Sequence, residues 1–363
     1  MRTPHTLHLS WCRQAVRLLA EHGQPAPWRG VLLAGALLCG ACATPAAPTA
    51  PTAAPSPAAP PRQSITSGAG TATSFGTTFP RHVANYLGYF AEEGLDVQVV
   101  VTGGDSQTLA GMIAGDVQVA EAAGTDGLVL ANAKGQEFYA VAGYLNSLSY
   151  SLMSAPGITS AAALRGGTVA IARPGDTTDR YARVALRHIG LEPERDVAMV
   201  SAQSSPERTR SLVAGLFQGA LIGRSENAFV LSQGGTELVD LRDLYPDYAN
   251  RVIGVSGPAL ADHADAVKRF VKGMLRAYRW LHEPGHQAEA EQIAAAVGLE
   301  VQFFDQVYDD LVRGVPRDGE ISARGLQVVL DDLRATGQIP ADFTVDRVVR
   351  TEPLRAAQAE LGD

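Results

Sequence analysis

Short polar segments carry most of the side chains able to hold a small molecule: 74–79 (SFGTTF), 102–106 (TGGDS), 123–126 (AGTD), 173–178 (RPGDTT) and 223–227 (GRSEN). Each follows an apolar, β-rich run, and several open a helical one. That position offers the free backbone N–H groups and the positive dipole end of a helix start, which receive anionic or carbonyl oxygens. Within and beside these segments the candidate ligand contacts are Thr77, Phe79, Gly104, Asp105, Ser106, Gly124, Thr125, Asp176, Thr177, Thr178, Arg224 and Glu226. Ser106, Thr177 and Thr178 add hydroxyl donors, although Ser, Thr and Asp are equally the residues that cap ordinary helices. Arg173 and Arg224 suit a carboxylate, sulfonate or phosphate held through two guanidinium N–H groups. Glu121, Asp126, Asp176 and Glu226 suit the opposite, an amine or amino-pyrimidine donor. Both ligand chemistries stay open. Phe75, Phe79 and Tyr181 offer rings for stacking or for helix packing. TGGDS lacks the lysine and glycine spacing of a phosphate-binding P-loop.

Catalysis has less to stand on. All three cysteines (Cys12, Cys39, Cys42) precede residue 43, and no G-x-S-x-G elbow occurs. The histidines after the first sixty residues, His82, His188, His263, His282 and His286, are scattered. His282 and His286 stand at i, i+4 beside Glu283, but Pro284 and Gly285 interrupt that helix and no third ligand is at hand. The reading is a binding protein with no catalytic residue, no metal and no cofactor.

The elements that position these segments alternate. From Ser64 onward β-rich runs and helical runs follow one another, the pattern of an α/β fold. A helix over 80–93, with Val83, Ala84, Leu87, Phe90 and Ala91 on one face, precedes the strand run LDVQVVV. Pro80 suits its first turn and Gly94 its end. Strand and helix runs continue to RVIGVSG, and helices take over from Leu260.

The first sixty residues differ in kind. Arg13, Arg17 and Arg29 precede the apolar run VLLAGALLCG, the layout of a secretory signal over 1–41. The CGAC string at 39–42 resembles a lipobox, with Cys42 the lipidated residue and Cys39 where leucine is usual. Cleavage after Ala43 is the alternative. Residues 43–62 hold seven prolines and eight alanines, an extended tether after the anchor that completes the segment 42–63. The full chain has net charge −8; beyond residue 41 there are 26 basic and 37 acidic residues, a net charge of −11. Such an acidic chain is no partner for nucleic acid.

Several strings in chain order resemble the substrate-binding proteins of ABC transporters, in the branch of nitrate, sulfonate, taurine and thiamine-pyrimidine binders. VANYLGYFAEEGLDVQVV is similar to the branch's helix–strand entry, and GGDSQTLAGMIAGDVQVAEAAG to its glycine loop and continuation. ITSAAALRGGTVAIARPGDTT, GLEPERDVAMVSA and LVAGLFQGALIGRSENA resemble its later stations, with Ala163 where Asp is usual. The resemblance implies an α/β fold of two lobes (a type II periplasmic-binding fold) with a ligand cleft between them. It places hinge crossings near Tyr150–Ser154 and 251–257. Lobe I then holds 64–152 and 251–363, and lobe II holds 153–250. It further implies a monomeric, membrane-anchored extracytoplasmic receptor for a small solute, partnered by an ABC permease. Two alternatives accompany it: an enzyme like the branch's pyrimidine synthases, whose cysteine-rich motif is missing here, or a sensor module for a signalling partner.

Overall fold

The computed structural model describes residues 62–362 apart from 73, 203 and 300. The signal segment, Cys42 and the tether up to residue 61 lie outside the described residues. From Gln63 the chain runs β1 (Gln63–Ala69), α1 (Phe75–Tyr86), α2 (Tyr89–Glu92), β2 (Leu95–Val101), α3 (Asp105–Ala114), β3 (Val119–Gly124), α4 (Thr125–Ala133) and β4 (Phe138–Leu145). There follow β5 (Tyr150–Ser154), α5 (Ala161–Leu164), β6 (Thr168–Ile171), α6 (Thr177–His188), β7 (Ala198–Ser201), α7 (Ser205–Val213), β8 (Gly219–Gly223), α8 (Asn227–Ser232), β9 (Thr236–Asp240) and α9 (Leu241–Leu244). The last part is β10 (Arg251–Ser256), α10 (Gly257–Asp262), α11 (Ala264–His282), α12 (Gln287–Ala296), α13 (Phe304–Gly314), α14 (Ala323–Ala335) and α15 (Glu352–Leu361). Among the described residues no helix is long and apolar enough to cross a membrane.

Two five-stranded sheets result, ordered β2-β1-β3-β10-β4 and β7-β6-β8-β5-β9. In each, the fourth strand runs antiparallel to both neighbours. That strand is the one the chain enters immediately after passing from the other sheet: β5 on the way out, β10 on the way back. The two lobes expected from the sequence are these two mixed α/β sheets with their helices.

The passes themselves lie earlier than expected. All of β5 pairs in the second sheet, with Tyr150 opposite Gly223 and Ser154 opposite Gly219. The first crossing is therefore 146–149, and the second is 245–250, ahead of β10. Residues 150–152 belong with the second sheet because their backbone groups complete its ladder, and an extended run alone does not reveal which sheet it joins.

Helix α1 also departs from expectation. It starts at Phe75, so segment 74–79 is helical rather than a loop, and Pro80 sits in the second turn. The helix stops at Tyr86 because Gly88 turns left-handed (φ 76°), and α2 resumes at Tyr89. Gly124 likewise closes β3 directly onto α4, leaving no loop at 124–126.

The core follows from these faces. Phe79, Val83 and Ala84 of α1 are fully buried against the long apolar face of α11, which contributes Phe270, Val271, Met274 and Leu275. Burial of an aliphatic or aromatic side chain of this kind contributes roughly 1.5–3 kcal/mol each. Helix α15, unexpected from the sequence, buries Leu354 and Ala357 in the same core. A second cluster threads both sheets, joining Leu128 and Val129 of α4 to Tyr181, Tyr248 and the Val329, Leu330 and Leu333 face of α14.

Candidate functional site

Between the sheets lies a cavity of about 120 Å³, the size for a few heavy atoms rather than a large ligand. Its wall is built mainly from helix starts. Ser74 to Thr77 open α1, Gly104 and Asp105 open α3, Asp176 to Thr178 open α6, and Ser204 and Ser205 open α7. The first two helices follow strands of one sheet and the last two follow strands of the other. In α7 the Ser204 hydroxyl accepts from Glu207 N at 3.2 Å. The N-cap residues of α1, α3 and α6 make no side-chain cap hydrogen bond, which leaves N–H groups of these helix starts open to a ligand.

Charged groups complete the wall. Arg251, 7% exposed, sends Nη1 to Asp105 Oδ1 and to Ala122 O, both at 2.8 Å, and Nη2 to the Tyr150 hydroxyl at 2.8 Å. Its Nε is buried without a partner. The charge of Asp105 holds the Arg251 guanidinium firmly protonated against the cost of burial. Arg208, 2% exposed, directs Nε to Leu221 O at 2.7 Å and Nη1 to Ala202 O at 2.8 Å. Arg224 lies against Glu237 (2.8 Å), Asp240 (2.7 Å) and Asp310 of α13 (3.1 Å). Glu121 of β3 forms the floor, its Oε2 2.6 Å from Arg81 Nε. Burial pushes its carboxyl up to about 7, against the pull of Arg81.

The structure sorts the candidate residues. Thr77, Gly104, Asp105, Asp176, Thr177, Thr178 and Arg224 line the cavity. Phe79 does not; it is 0% exposed and stacks on Phe75 at 4.3 Å. Because α1 starts at Phe75, it is Phe75 that reaches the cavity, and Phe79 one turn later faces the core. Ser106 points to the seam between lobes, where its hydroxyl donates to Asp176 Oδ1. Burial, with the nearby Asp105 charge, pushes the Asp176 carboxyl up.

Thr125 is buried beneath the second crossing, its N–H donating to Asn250 O at 3.1 Å. Glu226 turns away from the cavity and accepts from Ser205 (3.1 Å) and Ser225 (2.9 Å). Gly124 is a seam residue too: a Cβ there would stand 2.5 Å from Thr177 Oγ1, so only glycine lets the start of α6 approach. At that seam Thr177 Oγ1 donates to Asp105 Oδ2 at 3.1 Å and to Asp126 Oδ1 at 3.3 Å.

The charged and amide residues of the cavity lining missed by the sequence are Arg208, Asn250, Arg251 and Asp310. They sit on a helix face, a crossing, a strand start and a distant helix, outside the strand-exit segments. The remaining histidine pair is structural: His282 Nε2 lies 2.9 Å from Val315 O and His286 Nδ1 2.9 Å from Trp280 O. Among the described residues no group of three or more His, Cys, Asp or Glu side chains is placed to hold a metal ion.

The fold has solved relatives. The periplasmic nitrate-binding protein NrtA from Synechocystis PCC 6803 matches with TM-score 0.67 at 17% identity, covering 84% of this chain and 90% of that one. The alkanesulfonate-binding protein SsuA from Xanthomonas axonopodis pv. citri, bound to MOPS, gives TM-score 0.61 at 16% identity, covering 81% and 99%. The desulfurization enzyme DszB gives TM-score 0.57 at 15% identity, covering 83% and 100%. No curated protein sequence matches the chain significantly. The family model described as NMT1/THI5 like matches residues 78–288, more than half of the chain, and the protein belongs to that family.

Proposed function

We propose that the protein is an extracytoplasmic solute-binding receptor. It captures a small organic or anionic molecule in the cavity between its sheets and delivers it to an ABC permease. The observation that carries this reading is the convergence of helix starts from both sheets on one small cavity. A solute held by α1 and α3 on one side and by α6 and α7 on the other is gripped only when the lobes close, so its binding biases an open–closed equilibrium. The crossings 146–149 and 245–250 are the hinge. Nitrate- and sulfonate-binding proteins of the same fold support the reading. The permease partner follows from the resemblance of the sequence strings to ABC-transporter receptors.

No bond is made or broken in this reading. DszB shows that the fold also serves an enzyme. Here the cavity lining contains neither cysteine nor histidine, and its acidic and basic side chains are mostly engaged with one another. In the same reading residues 1–41 direct export, Cys42 carries the lipid anchor, residues 43–62 hold the receptor off the membrane as a tether, and the receptor works as a monomer. A sensor module for a signalling partner is the remaining alternative.

The test is native mass spectrometry of protein purified from its host, with thermal-shift measurements over nitrate, sulfonates, carboxylates and amines. A co-purified small molecule or a stabilising solute supports the receptor. Protein that carries nothing and is stabilised by nothing refutes it, and turnover of the bound solute refutes the non-enzyme reading.

A further inference from the structure

This inference deepens the receptor reading and rests on it. Glu121 is 1% exposed on the cavity floor. The groups that face it are Ser67 from β1, Arg81 from α1, Tyr144 from β4 and Tyr278 from α11. Arg81 and Ser67 both address Oε2, at 2.6 and 3.5 Å. Oε1 is buried with no partner. The Tyr144 hydroxyl is also without a partner, but Tyr144 does not line the cavity, whereas Glu121 does. A buried carboxylate oxygen left without a donor is costly, and native proteins satisfy nearly all such groups.

The other carboxylates facing the cavity are already answered by the protein. Asp105 has Arg251 at 2.8 Å, Asp310 has Arg224 at 3.1 Å, and Asp176 accepts from Ser106. An anion with no N–H group would bring oxygen against oxygen at the floor. We propose that the cavity selects a small solute carrying an N–H donor, an ammonium, amidinium or amide nitrogen, which docks on Glu121 Oε1 while the solute's acceptor end meets the uncapped starts of α1 and α6. Glu121 is then a specificity-determining residue of the receptor.

The experiment compares matched probes on the purified full-length chain by calorimetry and thermal shift: taurine against methanesulfonate, β-alanine against propionate, and acetamidine and acetamide alone. At least one donor-bearing probe is expected to bind ten-fold or more tightly than its donor-free partner. Glu121→Gln keeps the side-chain shape but removes the charge, and is expected to cost that probe at least ten-fold in affinity while methanesulfonate binds no more weakly than to the wild type. Should the variant fail to fold, the wild type decides. Glu121 takes up a proton as pH falls through about 7, so affinity for the donor-bearing probe should fall at least five-fold between pH 8 and 5.5. Equal binding of the matched probes, an unaltered Glu121→Gln profile or a flat affinity across that range overturns the proposal and leaves the receptor standing. Binding of no probe, with no co-purified solute, overturns the receptor reading and this inference together.

Discussion

Arg224 Nε stands 3.1 Å from Asp310 Oδ2, an ion pair that joins the exit turn of the second sheet to a helix packed on the first. Arg242 reaches the other oxygen of the same carboxylate at 3.0 Å. One acidic side chain of α13 thus holds two arginines of the opposite lobe. Those arginines keep other partners, so the pair matters more for closure than for folding.

Asp310→Asn is accordingly expected to weaken solute binding about five-fold, from loss of roughly 1 kcal/mol in the closed state. The melting temperature should hardly move. Calorimetry and small-angle scattering check this: unchanged affinity together with an unchanged radius of gyration would remove Asp310 from the closing mechanism.

Arg251→Lys removes the fork that serves Asp105, Ala122 and Tyr150 at once. Lysine offers a single point charge, which does not reproduce that geometry. Breaking a buried pair typically costs about 3 kcal/mol. For a folded part of this size the melting temperature should drop by roughly 5 °C. A variant as stable as the wild type would show that the crossing does not depend on this residue.

Arg81 has titratable groups on both sides, and their effects on stability oppose each other. Burial, with the Arg81 charge adding to it, lowers His82 from 6.5 to about 4, with Arg81 Nη2 3.2 Å from its Nε2. Between those values the unfolded chain holds a proton on His82 that the folded chain does not, so this contribution rises with pH. Glu121 is raised from 4.5 to about 7 by burial. Between those values the folded chain holds the extra proton, so its contribution falls with pH, by up to about 3 kcal/mol over the window. Glu121→Gln should therefore make stability rise more steeply with pH than in the wild type, and His82→Gln should make it fall more steeply. Melting curves at pH 4.5, 5.5 and 7 decide; if both variants run parallel to the wild type, neither group is coupled to folding.

Phe79→Ala is a stability variant rather than a binding one. The ring is fully buried, stacked on Phe75 and edge-on to Phe304. Its truncation should cost about 3–5 kcal/mol. Solute affinity, measured at a temperature where the variant is folded, should change less than that of a substitution at Thr77, which lines the cavity. The reverse ranking would put Phe79 in the binding site after all.

How much of this was legible follows from what a linear pattern can report. LDVQVVV and RVIGVSG read as strands because β-branched runs have few alternatives, and the polar segments after the strands read as a binding surface because the carboxyl ends of strands face the cleft. Phe79 was misplaced by a single boundary. A helix beginning at Pro80 leaves it in the polar segment before the helix; the start at Phe75 puts it one turn inside, facing α13. Asp310 was hidden by its own helix, where VYDDLV shows only an amphipathic face and nothing of the arginines it meets. Arg251 was read as the first residue of a strand, which it is, and its side chain's role depends on the approach of Asp105 from far earlier in the chain. Residues contributed by strand exits were visible; those contributed by tertiary approach were not.

The place of β10 has a consequence for the order in which the molecule is made. It lies between β3 and β4 and pairs with both, so those strands never touch each other and both keep an open edge until residues 251–256 arrive. The second sheet draws all its strands from 150–240 and is complete before β10 has been synthesised. Pairings between strands far apart in sequence are the slow ones. A chain emerging amino end first therefore has its second lobe ready while the first still waits for its fourth strand. In pulse-labelled hydrogen exchange during refolding, amides of β5 and β8 should gain protection before those of β3 and β10.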